Sequence, residues 1–237
     1  MRIDVLNSGS DGNGYVLYAG EDILLMECGV QAKQMLKAIR FEVNRVNACT
    51  LSHNHSDHSR FLREYARYGF PIYMSQESSA GNEIVTAIDR MKRTRAGHFT
   101  IIPFFVPHNE TECDGYIIEH PQMGKLLFIT DAEMCPYDMS QLGINHLLVE
   151  CNYSRDYIIS DVNSSHVMLG HMELQTTKRF IRSIYSENLK SVGLIHLSKK
   201  NADPEQFRQE IKTEFPAVDV WVAEKGAVYV ETRNQST

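Results

Sequence analysis

Three of the chain's ten histidines and one aspartate occupy the six positions of "HNHSDH", residues 53–58. A solvated loop explains polar residues here, but it does not explain their crowding after the apolar run "VNACTL". Alternate residues of an extended segment point the same way, so His53 and His55 can converge on one ion. Asp57 and His58 stand at the mouth of the helix predicted for "SRFLREYARYG" and can turn toward a second ion. Imidazole and carboxylate suit zinc, and also manganese or iron.

Further polar side chains share one position, the polar end of a strand-length apolar run: His108 in "FTIIPFFVPH", Asp131 in "KLLFITD", Glu150 in "HLLVE" and His196 in "SVGLIH". Strand ends along one edge of a sandwich can meet in space. Two close cations need several ligands, preferably with one carboxylate between them. The pattern therefore predicts a metal site at one edge of a sheet.

Strand-length apolar runs alternate with helical patterns along a chain without repeats, low-complexity tracts or flexible linkers. Helical periodicity is present in "QAKQMLKAIR", "SRFLREYARYG", "SQESSAGNEIVTAIDRM", "ELQTTKRFIRSIYSEN" and "DPEQFRQEIKTEF". Asp203, directly before a proline, marks the start of the last helix. Glycines between short strands, at Gly20, Gly124 and Gly226, indicate antiparallel hairpins. These elements suit a sheet-on-sheet core with helices outside it, in a single domain spanning 1–237.

Composition argues against several classes of protein. No run of about 18 apolar residues is present, so no membrane span is expected, and "MRIDVLNSGS" lacks the apolar core of a signal peptide. The five cysteines are odd in number, scattered and without a CxxC pair, which argues against a disulfide framework or a thiolate zinc site and indicates a reducing cytoplasm. The formal net charge is −6, whereas nucleic-acid-binding proteins usually carry a basic surface, so the charge does not indicate nucleic-acid binding.

"HNHSDH", followed in order by a histidine, an aspartate and a histidine at strand ends, resembles the metallo-β-lactamase superfamily. The resemblance covers essentially the whole chain and implies an α+β fold, a four-layer αββα sandwich with a dinuclear site at one edge. It also implies a water or hydroxide between the two ions as the nucleophile. The implied ligands form two sets that share one carboxylate: His53, His55 and His108 for one ion, Asp57, His58 and His196 for the other, and Asp131 bridging both.

Four segments, "LNSGSDGNGYVL", "VECNYS", "GHMELQTTKRF" and "IHLSKKNADPE", are similar to the YycJ/WalJ-like group of that superfamily, and to the Glu and His pairs of ribonuclease Z-like phosphodiesterases. By this likeness His171 is the proton donor near the leaving group and Glu150 orients it. Asp57 is also predicted to be a catalytic residue. His166 is a rival for the role of His171, whereas His98, His120 and His146 follow no pattern and are predicted to be structural or exposed.

The turn "SGSDGNG" packs glycines and short polar residues between two strands. It is either a flexible hairpin turn or a nest of backbone amides that holds a phosphate oxygen, with Ser10 and Asn13 adding side-chain contacts to substrate. Arg60 and Lys199 adjoin predicted ligands in sequence. They are either phosphate contacts or exposed solubilising charges.

The predicted site supports a metal-dependent hydrolase. Two divalent cations, zinc or manganese, activate a water and stabilise an in-line displacement, which suits a phosphodiester. A nuclease acting on DNA is what the YycJ/WalJ-like resemblance implies, with RNA or a small cyclic nucleotide open as substrates. The alternative is a glyoxalase- or lactonase-like hydrolase of a small ester, thioester or lactone, which does not need the pair of Glu150 and His171.

Overall fold

The computed structural model describes residues 1–157 and 170–231. The strands in these ranges are β1 (Arg2–Asn7), β2 (Gly14–Ala19), β3 (Asp22–Met26), β4 (Val46–Thr50), β5 (Ile72–Ser75), β6 (Thr86–Ile88), β7 (Thr94–Ala96), β8 (Phe99–His108), β9 (Thr111–His120), β10 (Gly124–Ile129), β11 (His146–Glu150), β12 (Ser191–Ile195), β13 (Asp219–Val222) and β14 (Val228–Val230). They form two seven-stranded sheets, ordered β14-β1-β2-β3-β4-β5-β6 and β13-β12-β11-β10-β9-β8-β7.

The α-helices in the same ranges are α1 (Ala32–Ala38), α2 (Ser56–Ser59), α3 (Leu62–Ala66), α4 (Gln76–Ser79), α5 (Leu174–Ile184) and α6 (Pro204–Glu214). Short 3₁₀ turns cover Val43–Arg45, Ser140–Leu142 and Arg155–Tyr157. Within the described ranges no helix is long and apolar enough to cross a membrane.

Alternation along the strands builds a four-layer sandwich. In β2, Leu17 packs into the core between the sheets, whereas its neighbour Val16 faces the opposite side. The core between the sheets includes Leu17, Met26, Ile101, Tyr116 and Phe128. Cores outside the sheets contain Met35 of α1 and Tyr65 of α3 on one side, and Ile181 of α5 and Phe207 of α6 on the other. Full burial of such a side chain is worth roughly 1.5–3 kcal/mol, so these cores hold the sandwich together. The predicted αββα architecture is confirmed.

Helices α1, α5 and α6 lie where periodicity predicts them, and the Asp203 carboxylate caps α6 by accepting from the Gln206 amide at 3.0 Å. The helix predicted for "SQESSAGNEIVTAIDRM" is wrong, because α4 ends after one turn and β6 follows it. Ala80 and Gly81 adopt left-handed φ angles of 47° and 74°, which end the helix. β-Branched residues then favour the strand that pairs with β5.

The remaining predictions concern the helix after "HNHSDH" and the glycine turns. The predicted helix in "SRFLREYARYG" divides into α2 and α3, with Phe61 between them at φ −107°. Glycine turns join antiparallel partners at Gly20 and Gly124, as predicted. The hairpin predicted at Gly226 is wrong, because this turn leads from β13 in one sheet to β14 in the other.

Candidate metal centre

The predicted ligands lie together at one edge of the sandwich, and each comes from a strand end or from α2: His53 and His55 after β4, His108 at the end of β8, Asp131 after β10, His196 after β12, and Asp57 and His58 in α2. Asp131 and His196 have positive φ angles of 45° and 53°. Non-glycine residues rarely adopt this conformation, and such strain is typically kept where surrounding structure fixes it.

The first ligand set contains His53, His55, His108 and Asp131, whose ligand atoms lie within 4.8 Å of one another. Nε2 of His108 is 3.2 Å from Nδ1 of His55 and 3.7 Å from Oδ2 of Asp131. Nitrogen ligands of a tetrahedral zinc, each at roughly 2.0–2.1 Å from it, lie about 3.3 Å apart. The spacing between the two histidines is therefore that of two ligands on one ion.

The hydrogen bonds around this set leave one nitrogen of His108 and one of His53 available to a metal. Nδ1 of His108 donates to the carbonyl of Gly170 at 2.7 Å, because a carbonyl only accepts. Nε2 of His108 is then unprotonated in the neutral ring. Nε2 of buried His53 has no hydrogen-bond partner among the residues that the structure describes. Burial lowers the pKa of both histidines, which favours the neutral form that metals require.

The second set contains Asp57, His58, Asp131 and His196, again within 4.8 Å. Nε2 of His58 is 3.2 Å from Asp57 Oδ2 and 3.3 Å from Asp131 Oδ2. Nε2 of His196 is 3.4 Å from Asp57 Oδ2, and its Nδ1 is 3.3 Å from Asp131 Oδ1. Asp131 belongs to both sets, so its carboxylate faces both groups of imidazoles.

Charge in the second set is dominated by carboxylates. Burial lowers the pKa of His196, but the charge of Asp131 and the hydrogen bond that His196 donates to Asp57 outweigh burial and raise it to about 10. Burial is likewise outweighed at His58, whose pKa is raised well above its usual value by Asp131 and Glu27. These imidazoles hold protons that balance the carboxylates, and divalent cations would supply the same charge in exchange for those protons.

Glu27, which the sequence reasoning missed, supports the second set from behind. Its buried carboxylate lies 3.1 Å from Nδ1 of His58 and accepts from the backbone N–H of Ser52 at 3.2 Å. A carboxylate behind a histidine fixes the ring and directs the other nitrogen toward a metal. The signal was available, because "DILLME" ends in a glutamate just as "HLLVE" does.

Glu150 and His171 form a pair directly beside the second set. Glu150 is fully buried, and its Oε1 accepts from Nδ1 of His171 at 2.7 Å while lying 3.1 Å from Nδ1 of His196. Its Oε2 accepts from the backbone amides of Ala132 and Met172 at 2.8 and 3.2 Å. Both carboxylate oxygens of Glu150 are therefore used in contacts with neighbouring groups, and these contacts orient His171.

His171 remains partly exposed, with 21% of its side-chain surface accessible. Its ring stacks on that of His196 at 5.4 Å between centroids. Burial lowers the pKa of His171, but the Glu150 charge and hydrogen bond reverse this and raise it. Glu150 therefore favours the protonated form of an imidazole that faces the centre. His166, the predicted rival, lies outside the described residues.

The glycine-rich turn folds back on the ligands. Asn13 is buried, its Oδ1 accepts from Gly9 N at 2.8 Å, and its Nδ2 is 3.2 Å from Asp57 Oδ2 and 3.0 Å from His58 Nε2. The backbone N–H of Asn13 donates to the Asp57 carbonyl at 2.7 Å. This placement favours support of Asp57 over the predicted contact with substrate. Ser10 is exposed on a neighbouring cavity.

Comparisons with known proteins support the fold. The family model for the anti-Pycsar protein Apyc1 matches residues 9–77, which include the glycine-rich turn and "HNHSDH". Exodeoxyribonuclease YycJ of Bacillus anthracis is 26% identical over 243 residues, covering 89% of this chain and 88% of the relative. Exodeoxyribonuclease WalJ of Streptococcus pneumoniae is 23% identical over 261 residues, covering 100% of this chain and 96% of the relative. The crystal structure of the metallo-β-lactamase fold protein YhfI from Bacillus subtilis matches with a TM-score of 0.75 at 20% identity, covering 96% of this chain and 98% of that one.

Fold and site together define a metallo-β-lactamase-fold protein whose His and Asp clusters suit divalent metal ions. Within that fold, the chain is similar to the exodeoxyribonucleases YycJ and WalJ over nearly its whole length. The resemblance inferred from the sequence motifs is thereby confirmed.

Proposed function

We propose that this chain is a metal-dependent phosphodiesterase, a nuclease that cleaves DNA with two bound divalent cations. The pair of Glu150 and His171 carries this proposal, because a carboxylate orients an imidazole next to the ligand cluster and favours its protonated form. Thioester hydrolysis has less need of such a donor, because a thiolate leaves without a proton, whereas the alkoxide that leaves a phosphodiester needs one. The exodeoxyribonuclease names of YycJ and WalJ favour DNA over RNA or a cyclic nucleotide.

The proposed ligands are those of the two sets: His53, His55 and His108 for one cation, Asp57, His58 and His196 for the other, and Asp131 for both. The inward lone pair of His108 and the unpartnered Nε2 of His53 support this assignment. Two divalent cations, zinc or manganese, would activate a water molecule and stabilise charge on the scissile phosphate.

The chain's own groups divide the remaining work. His171 holds a proton at Nε2, while its Nδ1–H bond to Glu150 fixes the ring. Asp57 stays ionised because hydrogen bonds from His196 and His58 outweigh burial and lower its pKa, and Asn13 holds the carboxylate in place. We assign the proton donor to His171 and the orienting role to Glu150.

We also propose a single domain over 1–237 and a cytoplasmic location. The five free cysteines, four of which are buried, support the location. Reduced thiols are typical of a reducing compartment.

Cleavage of end-labelled duplex and single-stranded DNA by protein stripped of metal and reloaded with Mn²⁺ or Zn²⁺ tests the function. We expect cleavage by the wild-type chain and a loss of about 10²-fold or more in His171→Ala, with metal content unchanged in that variant. Turnover of a thioester or lactone by fully metallated protein that cleaves no nucleic acid would instead establish the alternative hydrolase.

A further inference from the structure

A cavity of about 900 Å³ adjoins the metal centre on the side of Asp57 and His196. Its wall includes Ser8, whose Oγ accepts from the backbone N–H of His196 at 2.8 Å. The wall also includes Gly29, where a Cβ atom would come within 1.7 Å of the Asp57 carbonyl. The cavity is thus separated from two proposed ligands by a single layer of residues, and its volume is at the upper end of ligand sites.

The charge of this cavity contrasts with that of the whole chain, which is −6. Its charged lining consists of four basic and two acidic residues: Arg60, Lys199, Lys200, Lys225, Asp11 and Glu224. All six are exposed. We call this cavity, with the four basic residues named, the basic basin.

Asp11 provides an example of an anionic group that interacts with the cations of the basin. Its carboxylate pairs with Lys199, and its pKa is lowered first by that contact and then by Arg60 and Lys225. Lys199 therefore contacts this exposed carboxylate, and the charges of Arg60 and Lys225, from separate segments, also act on it. A phosphate oxygen brought to the same place would meet the same cations.

Hydrogen bonds fix two of the segments that carry these cations, one to His196 and one to β1. The backbone N–H of Ser198 donates to the Asn152 carbonyl at 2.8 Å, and the Asn152 side chain donates to the His196 carbonyl at 2.8 Å. Asn152 therefore fixes the backbone next to Lys199 and Lys200 relative to His196. The Lys225 turn is fixed to β1, because Gly226 N donates to the Val5 carbonyl at 2.9 Å.

We infer that the basic basin binds a phosphate group of the substrate strand other than the scissile one. This inference rests on the proposed function, because the scissile phosphate lies at the metal centre. Phosphate contacts position a strand without reading its sequence. A substrate with a single phosphate, such as a cyclic nucleotide, would leave the basin without an anion, so the basin favours a polynucleotide.

Two substrates separate the basin from the chemistry. Single-stranded DNA carries neighbouring phosphates, whereas bis(p-nitrophenyl) phosphate carries only the phosphate that is attacked. In the double variant Lys199→Gln, Lys225→Gln we expect KM for DNA to rise about tenfold and the salt slope of log KM to fall by about 1 per lost contact. The loss of kcat/KM on DNA should exceed the loss on the simple diester by about the same factor. A neutral methylphosphonate at the neighbouring linkage should remove this difference between variant and wild type.

A second ion pair provides a matched control. Lys92 and Asp89 pair at 2.9 Å on the surface away from the basin, with accessible side-chain fractions of 74% and 52%, against 79% and 69% for Lys199 and Asp11. We expect Asp11→Asn to lower KM for DNA, because it removes a competing anion, whereas Lys92→Gln and Asp89→Asn change KM by less than about twofold.

Equal losses on DNA and on the simple diester would overturn the inference, as would a KM effect of Lys92→Gln equal to that of the basin variant. If metallated wild-type protein cleaves neither substrate, the proposed function fails, and the basin is tested by fluorescence anisotropy of a labelled oligonucleotide bound to the full chain. Weaker binding by the double variant would then support the basin, and equal binding would overturn it.

Discussion

Two separate clusters of histidine and aspartate lie at opposite ends of β8 and β9 in the part of the chain that the structure describes. The candidate metal centre lies at one end, and Asp22 with His98 and His120 lies at the other. Both bring ligand atoms within 4.8 Å of one another. Proximity of suitable side chains therefore does not distinguish them.

The direction of the hydrogen bonds does distinguish them. Nδ1 of His120 accepts from the backbone N–H of Gln122 at 3.2 Å, so its Nε2 carries the proton and donates to Asp22 at 3.2 Å. Asp22 also accepts from His98 at 2.8 Å and from Asn47 at 2.7 Å. These groups satisfy one another, and a metal on Nε2 of His120 would break this arrangement.

At the metal centre the second nitrogen of each supported ring donates outward, from His108 to Gly170 and from His58 to Glu27. The inner nitrogens then face the carboxylate of Asp131. The comparison teaches that the acceptor behind a histidine, more than the distance between ligands, indicates a metal site.

The largest effect is expected from Asp131→Ala, which removes the only carboxylate common to both ligand sets. We expect DNA cleavage to fall by about 10³-fold or more, since both cations lose a ligand and the site loses its central charge. Initial rates on end-labelled DNA measure this. Retention of a tenth of the wild-type rate would show that Asp131 does not join the two sets.

Glu150→Gln should lower kcat by about 10²-fold, because His171 loses the charge that holds its proton. A general acid works below its pKa, so activity is lost as pH rises through that value. The substitution lowers the raised pKa of His171, and the alkaline limb of the pH profile should move to lower pH. An alkaline limb that stays in place would argue against His171 as the donor.

Glu27→Gln tests whether the carboxylate behind His58 contributes to metal affinity. Loss of a carboxylate behind a metal-bound histidine typically costs about 10- to 100-fold in metal affinity, and we expect that loss for the ion on His58. Competition with a chromogenic chelator measures it. Glu77→Gln, at a half-exposed glutamate that pairs with Arg90, is the control and should not change the affinity.

Asp22→Asn should leave activity unchanged and lower the free energy of unfolding by about 1 kcal/mol at pH 7. Burial raises the pKa of Asp22, but hydrogen bonds from His98 and His120 outweigh it and lower the pKa. Its stabilising effect is therefore present above the unfolded value of about 3.9 and is lost as pH falls through the folded value. Urea unfolding at pH 7 and at pH 3 should show the difference between the proteins shrinking at pH 3. A constant difference would contradict this origin.

Sequence reasoning could predict the sandwich and the ligand cluster because both depend on local patterns. Strand-length runs that end in His, Asp or Glu place those side chains at a sheet edge before any packing is known. Glu27 carried the same signal and was overlooked. The helix predicted across Ala80 and Gly81 failed because two left-handed residues outweigh apolar periodicity.

The supporting contacts could not be predicted, because they join distant parts of the chain. Asn13 approaches Asp57 across 44 positions, and Ser8 meets the amide of His196 across 188. His98 and His120 were predicted to be structural or exposed, and His98 is exposed while His120 is buried against Asp22. Only the folded structure shows which histidines are already satisfied.

The most direct test of the difference between the clusters is metal content per chain, measured after saturation with Zn²⁺ or Mn²⁺ and gel filtration, in wild type, Asp131→Asn and Asp22→Asn. We predict two ions in the wild type and in Asp22→Asn, and at most one in Asp131→Asn. Loss of an ion in Asp22→Asn, with both ions retained in Asp131→Asn, would contradict the assignment of the metal centre.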